Sequence, residues 1–481
     1  MCGESRSWLA RVAIALLALV PVVGAAGAAD PLAGWLGERI APEDVGLIAL
    51  PVAGGAPLIA HNAGKPMNPA STMKLLTTYA ALATLGAEYR WKTGAYLRGR
   101  LDGDVLNGDL ILKGGGDPKL VIEDLTEFIA AMRRAGLREL RGDLVIDDSV
   151  FDVGESSVEN FDGDPTQPYN VRPFGLLMNF KATRIVVRPG DAGVRVTLDP
   201  ALDGVDVVSR LRLLRGPCRA GSTALAIHEV DAPASPAGKA VPPTIVVTGA
   251  YSPSCGEQGL FSSVLTHREF IHALFRAAWL AAGGQWTGRT RIERGAAVGK
   301  PWLVWESPRT LADVVNDVNK FSNNVMARQL LLGLAAQAGE SPATVEGARS
   351  ALQRWLSAQG LALPGLVVDN GAGLSRIGRI SAEGLAHLLA HAAASPYADT
   401  LRNSLPVVGV DGTMKYRMSG DRIVGHAWIK TGSLEGVRTI AGYVDGASGR
   451  RYAVVLFCQG TRSEASAALQ ESLLRWIRDR G

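Results

Sequence analysis

The chain has 481 residues, 47% of them hydrophobic, and its 50 lysines and arginines against 46 aspartates and glutamates leave a net charge of only +4. Charges of both signs are interspersed, which gives no support to nucleic-acid binding, and no run after the first thirty residues approaches the roughly 18–20 apolar residues of a membrane span. The length implies more than one domain.

Arg6 and Arg11 precede the apolar segment from Val12 to Val23, and Ala26-Gly27-Ala28-Ala29 offers a small-residue cleavage site, the order of a secretory signal peptide. Residues 1–29 are expected to be that signal, leaving an exported, periplasmic protein that begins near Ala29 or Asp30. A retained N-terminal anchor is the alternative. Further on, Pro69-Ala70 introduces Ser71, and Leu75, Leu76, Tyr79, Ala80 and Leu82 recur at helical spacing. This predicts a helix with Ser71 at its N-terminus, near free backbone N–H groups, and Lys74 one turn on along the same face.

The middle of the chain carries short runs that predict strands, among them Asp109-Leu110-Ile111-Leu112, Asp143-Leu144-Val145-Ile146, Thr183-Arg184-Ile185-Val186-Val187 and Thr244-Ile245-Val246-Val247. Gly114-Gly115-Gly116 lacks the Gly-Lys-Ser/Thr ending of a phosphate loop and reads as a turn. Helices open near Leu125 and Leu265, each followed by Gly and a strand, either a faint repeat or a coincidence of similar starts. Cys2 leaves with the signal. Cys218 and Cys255 flank a Pro/Gly-rich stretch and are candidates for a disulfide, whereas Cys458 lies in an apolar strand and reads as a buried thiol. Arg210, Arg212, Arg215 and Arg219 form a local basic patch, read as a solvated strand face rather than a site for anionic wall polymer.

Ser322-Asn323-Asn324 lies between Val314-Val315 and the helical run Val325, Met326, Leu330, Leu331, so a loop entering a helix presents Ser322 and Asn324. His426 to Ile429, Lys430-Thr431-Gly432, and Ile440 to Val444 predict an antiparallel hairpin in which Gly432 allows another backbone to approach the strand edge. Leu469, Leu473, Leu474, Trp476 and Ile477 predict a terminal helix that packs on a sheet or, alternatively, makes peripheral membrane contact. Glu383, His387 and His391 share a helix face, but not in the H-E-x-x-H spacing of a zinc hydrolase. No metal or other cofactor is expected.

Taken together, the three motifs provide a serine nucleophile, a lysine beside it, a second hydroxyl, an amide and a cationic strand edge. That is the inventory for acyl transfer through a serine ester. The first motif lies in residues 30–90 and the others in residues 291–481, so one catalytic domain is expected from both ends of the chain. Residues 91–290 form a β-rich insert, divided into two small subdomains.

The motifs, with Leu112 to Pro118, Asn319 to Ser322, Gly371 to Arg376 and Leu405 to Thr413, resemble the D-alanyl-D-alanine carboxypeptidase/endopeptidase family, the class C low-molecular-mass penicillin-binding proteins. The resemblance spans nearly the whole mature chain. It implies an α/β (α+β) fold of the serine β-lactamase/DD-peptidase kind, with an antiparallel sheet flanked by helices. It further implies hydrolysis of peptidoglycan peptides through a Ser71 ester and acylation by β-lactams. Lys74 is then the base, with a pKa lowered by Lys430 and the helix end; Ser322 relays a proton; Asn324 holds the substrate amide.

Thr431 and Lys430 meet the substrate carboxylate at Gly432, and the N–H groups of Ser71 and Ser433 hold the oxyanion. Asp164 and Arg376 are expected to take the ammonium and carboxylate of a diaminopimelate side chain. A β-lactamase-like hydrolase and a non-catalytic peptidoglycan-binding protein are the rival readings. No Glu-x-x-Leu-Asn follows Ser322, so the deacylating glutamate of class A β-lactamases has no counterpart. Oligomeric state is not encoded in any of these signals.

Overall fold

The run Ala453-Val454-Val455-Leu456-Phe457-Cys458 is apolar at every position because both faces of its strand are covered. The computed structural model describes residues 31–37, 40–154, 161–190, 193–230 and 242–481; the expected signal peptide lies outside the described residues. Strands β1 (Val45–Pro51) and β2 (Ile59–His61) come from the front of the chain, and β3 (Ala427–Leu434), β4 (Val437–Asp445) and β5 (Arg451–Gln459) from its end. They form one antiparallel sheet in the order β2-β1-β5-β4-β3. Period-two alternation sends Ala453, Val455 and Phe457 to one face and Val454, Leu456 and Cys458 to the other.

The first face packs on helices α1 (Lys74–Leu85), α2 (Leu311–Lys320), α3 (Asn324–Gln337) and α4 (Ala382–Ala393). The second is covered by α5 (Ser466–Arg480), whose Leu469, Leu473, Leu474 and Ile477 are buried there. Packing against the sheet therefore consumes the apolar stripe of α5, and Trp476 meets Trp35 edge-on at 5.7 Å. Among the described residues no helix is long and apolar enough to cross a membrane.

The insert leaves and returns on paired strands, Lys92–Asp102 and Leu303–Glu306, which run antiparallel with Lys92 opposite Glu306. Its main sheet thus continues past residue 290, where the sequence placed the boundary. The four residues Leu303 to Glu306 are too few to give a clear alternation signal. The two helix starts near Leu125 and Leu265 do belong to matching units. Helix Ile122–Arg134 feeds Glu139–Leu140 and Leu144–Asp147, and helix His267–Ala281 feeds Gln285–Trp286 and Thr290–Ile292. The second pair lies parallel to the first, with Trp286 beside Leu140 and Thr290 beside Leu144.

Two three-stranded sheets drawn from Thr183 to Ser262 complete the region. Their Ile185, Val187, Ile245, Val247 and Tyr251 join Leu110, Phe128 and Trp279 in a single apolar cluster. The insert is thus organised around one continuous core rather than two separate subdomains. Cys218 and Cys255 are bonded, with Cα atoms 4.9 Å apart, and Cys458 is a buried free thiol.

The disulfide closes a chain segment of 37 residues, a constraint typically worth about 3–4 kcal/mol through the unfolded state. A double Cys218→Ser/Cys255→Ser protein is expected to melt its insert earlier by an amount of that order. Its rate of covalent labelling by fluorescent penicillin should stay at the wild-type value, because the bond lies within the insert, away from the helices and strand that carry the three motifs.

Candidate active site

Ser71 sits in a single 3-10 turn, Ala70–Met73, that runs directly into α1. Three segments clamp that turn. Asn68 Oδ1 accepts the Ala70 N–H at 2.9 Å while its Nδ2 donates to Ser375 O at 2.8 Å, and Thr439 Oγ1 on β4 donates to Pro69 O at 2.8 Å. Ala70 is held at φ +46°, a left-handed conformation costly for a residue with a Cβ. Gly373 lies against it so closely that a Cβ there would stand 1.8 Å from Ala70 O.

Lys74 is fully buried, one turn along. Its Nζ lies 2.6 Å from Asn324 Oδ1, 2.6 Å from Ala372 O and 2.9 Å from Ser71 Oγ. The first two are obligatory acceptors. Lys74 donates to all three as the bonds stand; once the amine is neutral, the first two can take both of its N–H bonds and its lone pair is left for the Ser71 hydroxyl. Burial holds the Lys74 pKa well below the usual lysine range, the charge of Lys430 lowers it further, and that of Arg328 adds to this. The sequence named Lys430 and the helix end as causes; desolvation outweighs the Lys430 charge, and neither Arg328 nor the Ala372 carbonyl was anticipated.

The second motif covers the last two residues of the three-residue link between α2 and α3 and the first residue of α3. Asn323 caps α3 by accepting the Met326 N–H at 3.0 Å, and this fixes where Asn324 begins the helix. Ser322 has φ +58°, the second strained non-glycine at the site. Its Oγ accepts from Lys430 Nζ at 2.9 Å, and the same amine donates to Thr431 O at 2.7 Å. Lys430 has no solvent exposure, and burial pushes its pKa down to about 7.

On β3, Ile429 packs with the α5 side of the sheet and Trp428 against the helix side. Alternation therefore turns Lys430 and Gly432 toward the Ser71 turn. β3 is the edge strand, and Ile429 donates outward to Pro406 O at 2.7 Å. The same alternation aims the N–H groups of Thr431 and Ser433 at the free edge. Thr431 Oγ1 bonds the Thr413 hydroxyl at 2.9 Å. The backbone that approaches Gly432 is the chain's own: a Cβ on Gly432 would stand 2.2 Å from Thr439 Oγ1, 2.8 Å from Ser71 N and 3.0 Å from Ala70 Cβ. Six motif residues thus meet at one edge: Ser71, Lys74, Ser322, Asn324, Lys430 and Gly432.

Asp164 and Arg376 are not brought into that cluster. Asp164 stabilises its own loop, accepting from Thr166 N at 3.0 Å, Thr166 Oγ1 at 2.6 Å and Gln167 Nε2 at 2.6 Å. These bonds, Thr166 first, keep its pKa low. Arg376 pairs with Glu435 at 3.2 Å and lies over the Phe161 ring at 5.0 Å. Through Phe161, Arg376 lies against the segment that carries Asp164. His391, one of the three residues on the α4 face, is bonded to Tyr79 Oη at 2.7 Å. Among the described residues no three His, Cys, Asp or Glu groups are arranged to hold a metal.

Residues 35–480 match the D-Ala-D-Ala carboxypeptidase 3 (S13) family. A D-alanyl-D-alanine carboxypeptidase of Actinomadura sp. (strain R39) is 29% identical, with 98% of this chain and 90% of the relative aligned. The D-alanyl-D-alanine carboxypeptidase DacB of Haemophilus influenzae is 24% identical over 87% of this chain and 85% of its own. The crystal structure of penicillin binding protein 4 (dacB) from Haemophilus influenzae superposes with a TM-score of 0.76 at 22% identity, covering 93% of this chain and 98% of the other. The fold is thus the α/β one expected, a helix-flanked antiparallel sheet with an inserted region.

Gly432→Ala puts a methyl group into the contact between β3 and the Ser71 turn. We expect a loss of about 1–3 kcal/mol in thermal unfolding and penicillin labelling slowed at least about tenfold by displacement of Ser71. Gly333→Ala, in the interior of α3 with nothing within 4 Å of the new methyl, is expected instead to raise stability by up to about 1 kcal/mol.

Proposed function

The chain belongs to the D-Ala-D-Ala carboxypeptidase 3 (S13) family, and on that footing we propose that Ser71 is its nucleophile, with Lys74 as general base and the Lys430–Ser322 pair as proton relay. The protein is a serine D-Ala-D-Ala carboxypeptidase. One observation carries the assignment of roles: Lys74 Nζ is buried within 2.9 Å of Ser71 Oγ, and Asn324 Oδ1 and the Ala372 carbonyl supply two further acceptors, enough for both protons of a neutral amine.

Ser71 Oγ attacks the carbonyl carbon of the penultimate D-Ala as its proton passes to Lys74 Nζ. The resulting oxyanion lies between the N–H groups of Ser71 and Ser433, donors of a kind commonly worth about 3 kcal/mol each. Asn324, with Oδ1 committed to Lys74, has its Nδ2 available for the substrate amide. Ser322 Oγ passes a proton to the departing D-Ala amine and is replenished from Lys430, and the C–N bond breaks to leave the Ser71 ester. Once D-Ala has left, Lys74 gives up the proton it took from Ser71 and Lys430 regains the one it lost; water then attacks the ester, giving its proton to Lys74, which passes it to Ser71 Oγ as the ester bond breaks and the shortened peptide leaves. The terminal carboxylate is received by the Thr431 and Thr413 hydroxyls beside the Lys430 charge.

We further place the enzyme outside the cytoplasm, in the periplasm, on the basic-then-apolar start of the sequence and the Cys218–Cys255 bond. There the substrates are peptidoglycan stem peptides, and crosslinks offer the same D-Ala carbonyl to an endopeptidase reaction. β-Lactams present the same carboxylate and a strained acyl bond to Ser71.

Penicillin treatment is expected to add one penicilloyl mass to the intact protein, on the peptide containing Ser71 and absent from Ser71→Ala; an adduct elsewhere removes the assignment. Charged Lys430 helps bind the carboxylate, so kcat/KM should fall as pH rises through about 7, where the free enzyme's Lys430 loses its proton. Bound carboxylate favours the charged amine, which moves the falling limb in kcat to higher pH. Digestion of purified muropeptides, read by product mass, should show loss of terminal D-Ala together with crosslink cleavage.

A further inference from the structure

Arg328 takes no part in the reaction as written, yet it lies one turn beyond Asn324 on α3, on the same face, and is 3% exposed. Its guanidinium is directed at the insert. One terminal nitrogen donates to Val171 O at 2.7 Å and the other to Tyr169 O at 2.9 Å. Two neighbours join it: Gln329 exchanges hydrogen bonds with Phe174, accepting from its N–H at 3.0 Å and donating to its carbonyl at 3.1 Å, and Val325 packs with Val171 and Leu177. The insert is therefore docked along the first turns of the helix that presents Asn324 to Lys74. A guanidinium keeps its charge at any pH when buried, whereas burial brings an amine's pKa down toward neutrality, as at Lys430.

We propose that Arg328 is a positioning residue for acylation: it ties residues 169–171 of the insert to the helix bearing Asn324 and sets a permanent positive charge behind Lys74. This rests on the reading of Lys74 as general base. Ser71 on its own turn, Asn324 from α3 and the Ala372 carbonyl from the 371–375 loop are bonded to Lys74, while Lys430 from β3 and Arg328 from α3 act on it through charge alone. Of these the two cations act in the same direction, against a proton on Lys74. The insert thereby becomes part of the acylation machinery rather than an appendage of it.

The test is the second-order rate of penicillin acylation against pH for the full-length wild type, Arg328→Gln and Arg328→Lys, with a thermal melt of each. Removing the charge raises the pKa of Lys74, so the rising limb of the Arg328→Gln profile should move to higher pH by about one unit. The rate should fall about tenfold below that limb and recover on its alkaline side. Arg328→Lys should lie between the two, because a buried amine gives up its proton near neutral pH.

A rate lowered equally at every pH, or an unmoved profile, overturns the proposal. If Arg328→Gln shows no cooperative melt, the same criteria apply to Arg328→Lys alone. Lys74→Ala and Ser71→Ala are measured alongside. Wild-type labelling in either one removes the general-base reading itself. Both silent, with the limb of Arg328→Gln unmoved, removes only the role given to Arg328.

Discussion

Two amines without water around them govern this site. Neither Lys74 nor Lys430 has measurable exposure, and among the described residues neither has a carboxylate as hydrogen-bond partner. A carboxylate would have kept a lysine charged and useless as a base. Neutral acceptors allow burial to strip its proton instead. The same environment sets both amines apart from the many solvated lysines of an ordinary surface. It also explains why the acceptors are hydroxyls, an amide and backbone carbonyls: each satisfies an N–H without stabilising the cation enough to hold the proton.

Bringing those groups together depends on strand parity and close backbone contact. β3 carries Lys430 and Gly432 to the helix face only in its present register with β4, where Lys430 is opposite Ala441 and Gly432 opposite Thr439. A slip of one residue would turn Lys430 toward α5. Gly432 and Gly373 then allow the Ser71 turn to be gripped from two sides, and the positive φ values of Ala70 and Ser322 show where the backbone is forced to comply. Such strain is sustained because several independent hydrogen bonds hold each position.

The sequence disclosed much of this because residue type and local order coincide at the motifs. A serine before an apolar helical stripe, an Asn-Asn pair before another, and a lysine-glycine pair on an alternating strand each carry both a chemical group and its placement. Other contributors left no such trace. The third partner of Lys74 is the carbonyl of Ala372, and a backbone atom has no residue signature. Arg328 read as one more helical residue because its meaning depends on a segment more than 150 positions away in the chain. Asp164 and Arg376 were assigned by resemblance alone; Asp164 bonds Thr166 and Gln167 within its own loop, while Arg376 meets Glu435 and Phe161 from distant parts of the chain, which no local pattern announces. The insert's extent was misjudged for a related reason, since its last strand is recognisable only when paired with Lys92–Asp102.

That last strand has an architectural corollary. Trp91 O accepts the Ser307 N–H at 2.9 Å, and Lys92 stands beside Glu306, so more than two hundred residues depart and return through one narrow stalk. A graft attached at neighbouring points imposes little geometric demand on its host, which is how an ancestral hydrolase can acquire a large outgrowth without rebuilding its sheet. The second attachment, along α3, is of another kind. It makes the outgrowth an obligate companion, and a version trimmed at the stalk would keep every motif while losing the wall against which one of its helices leans.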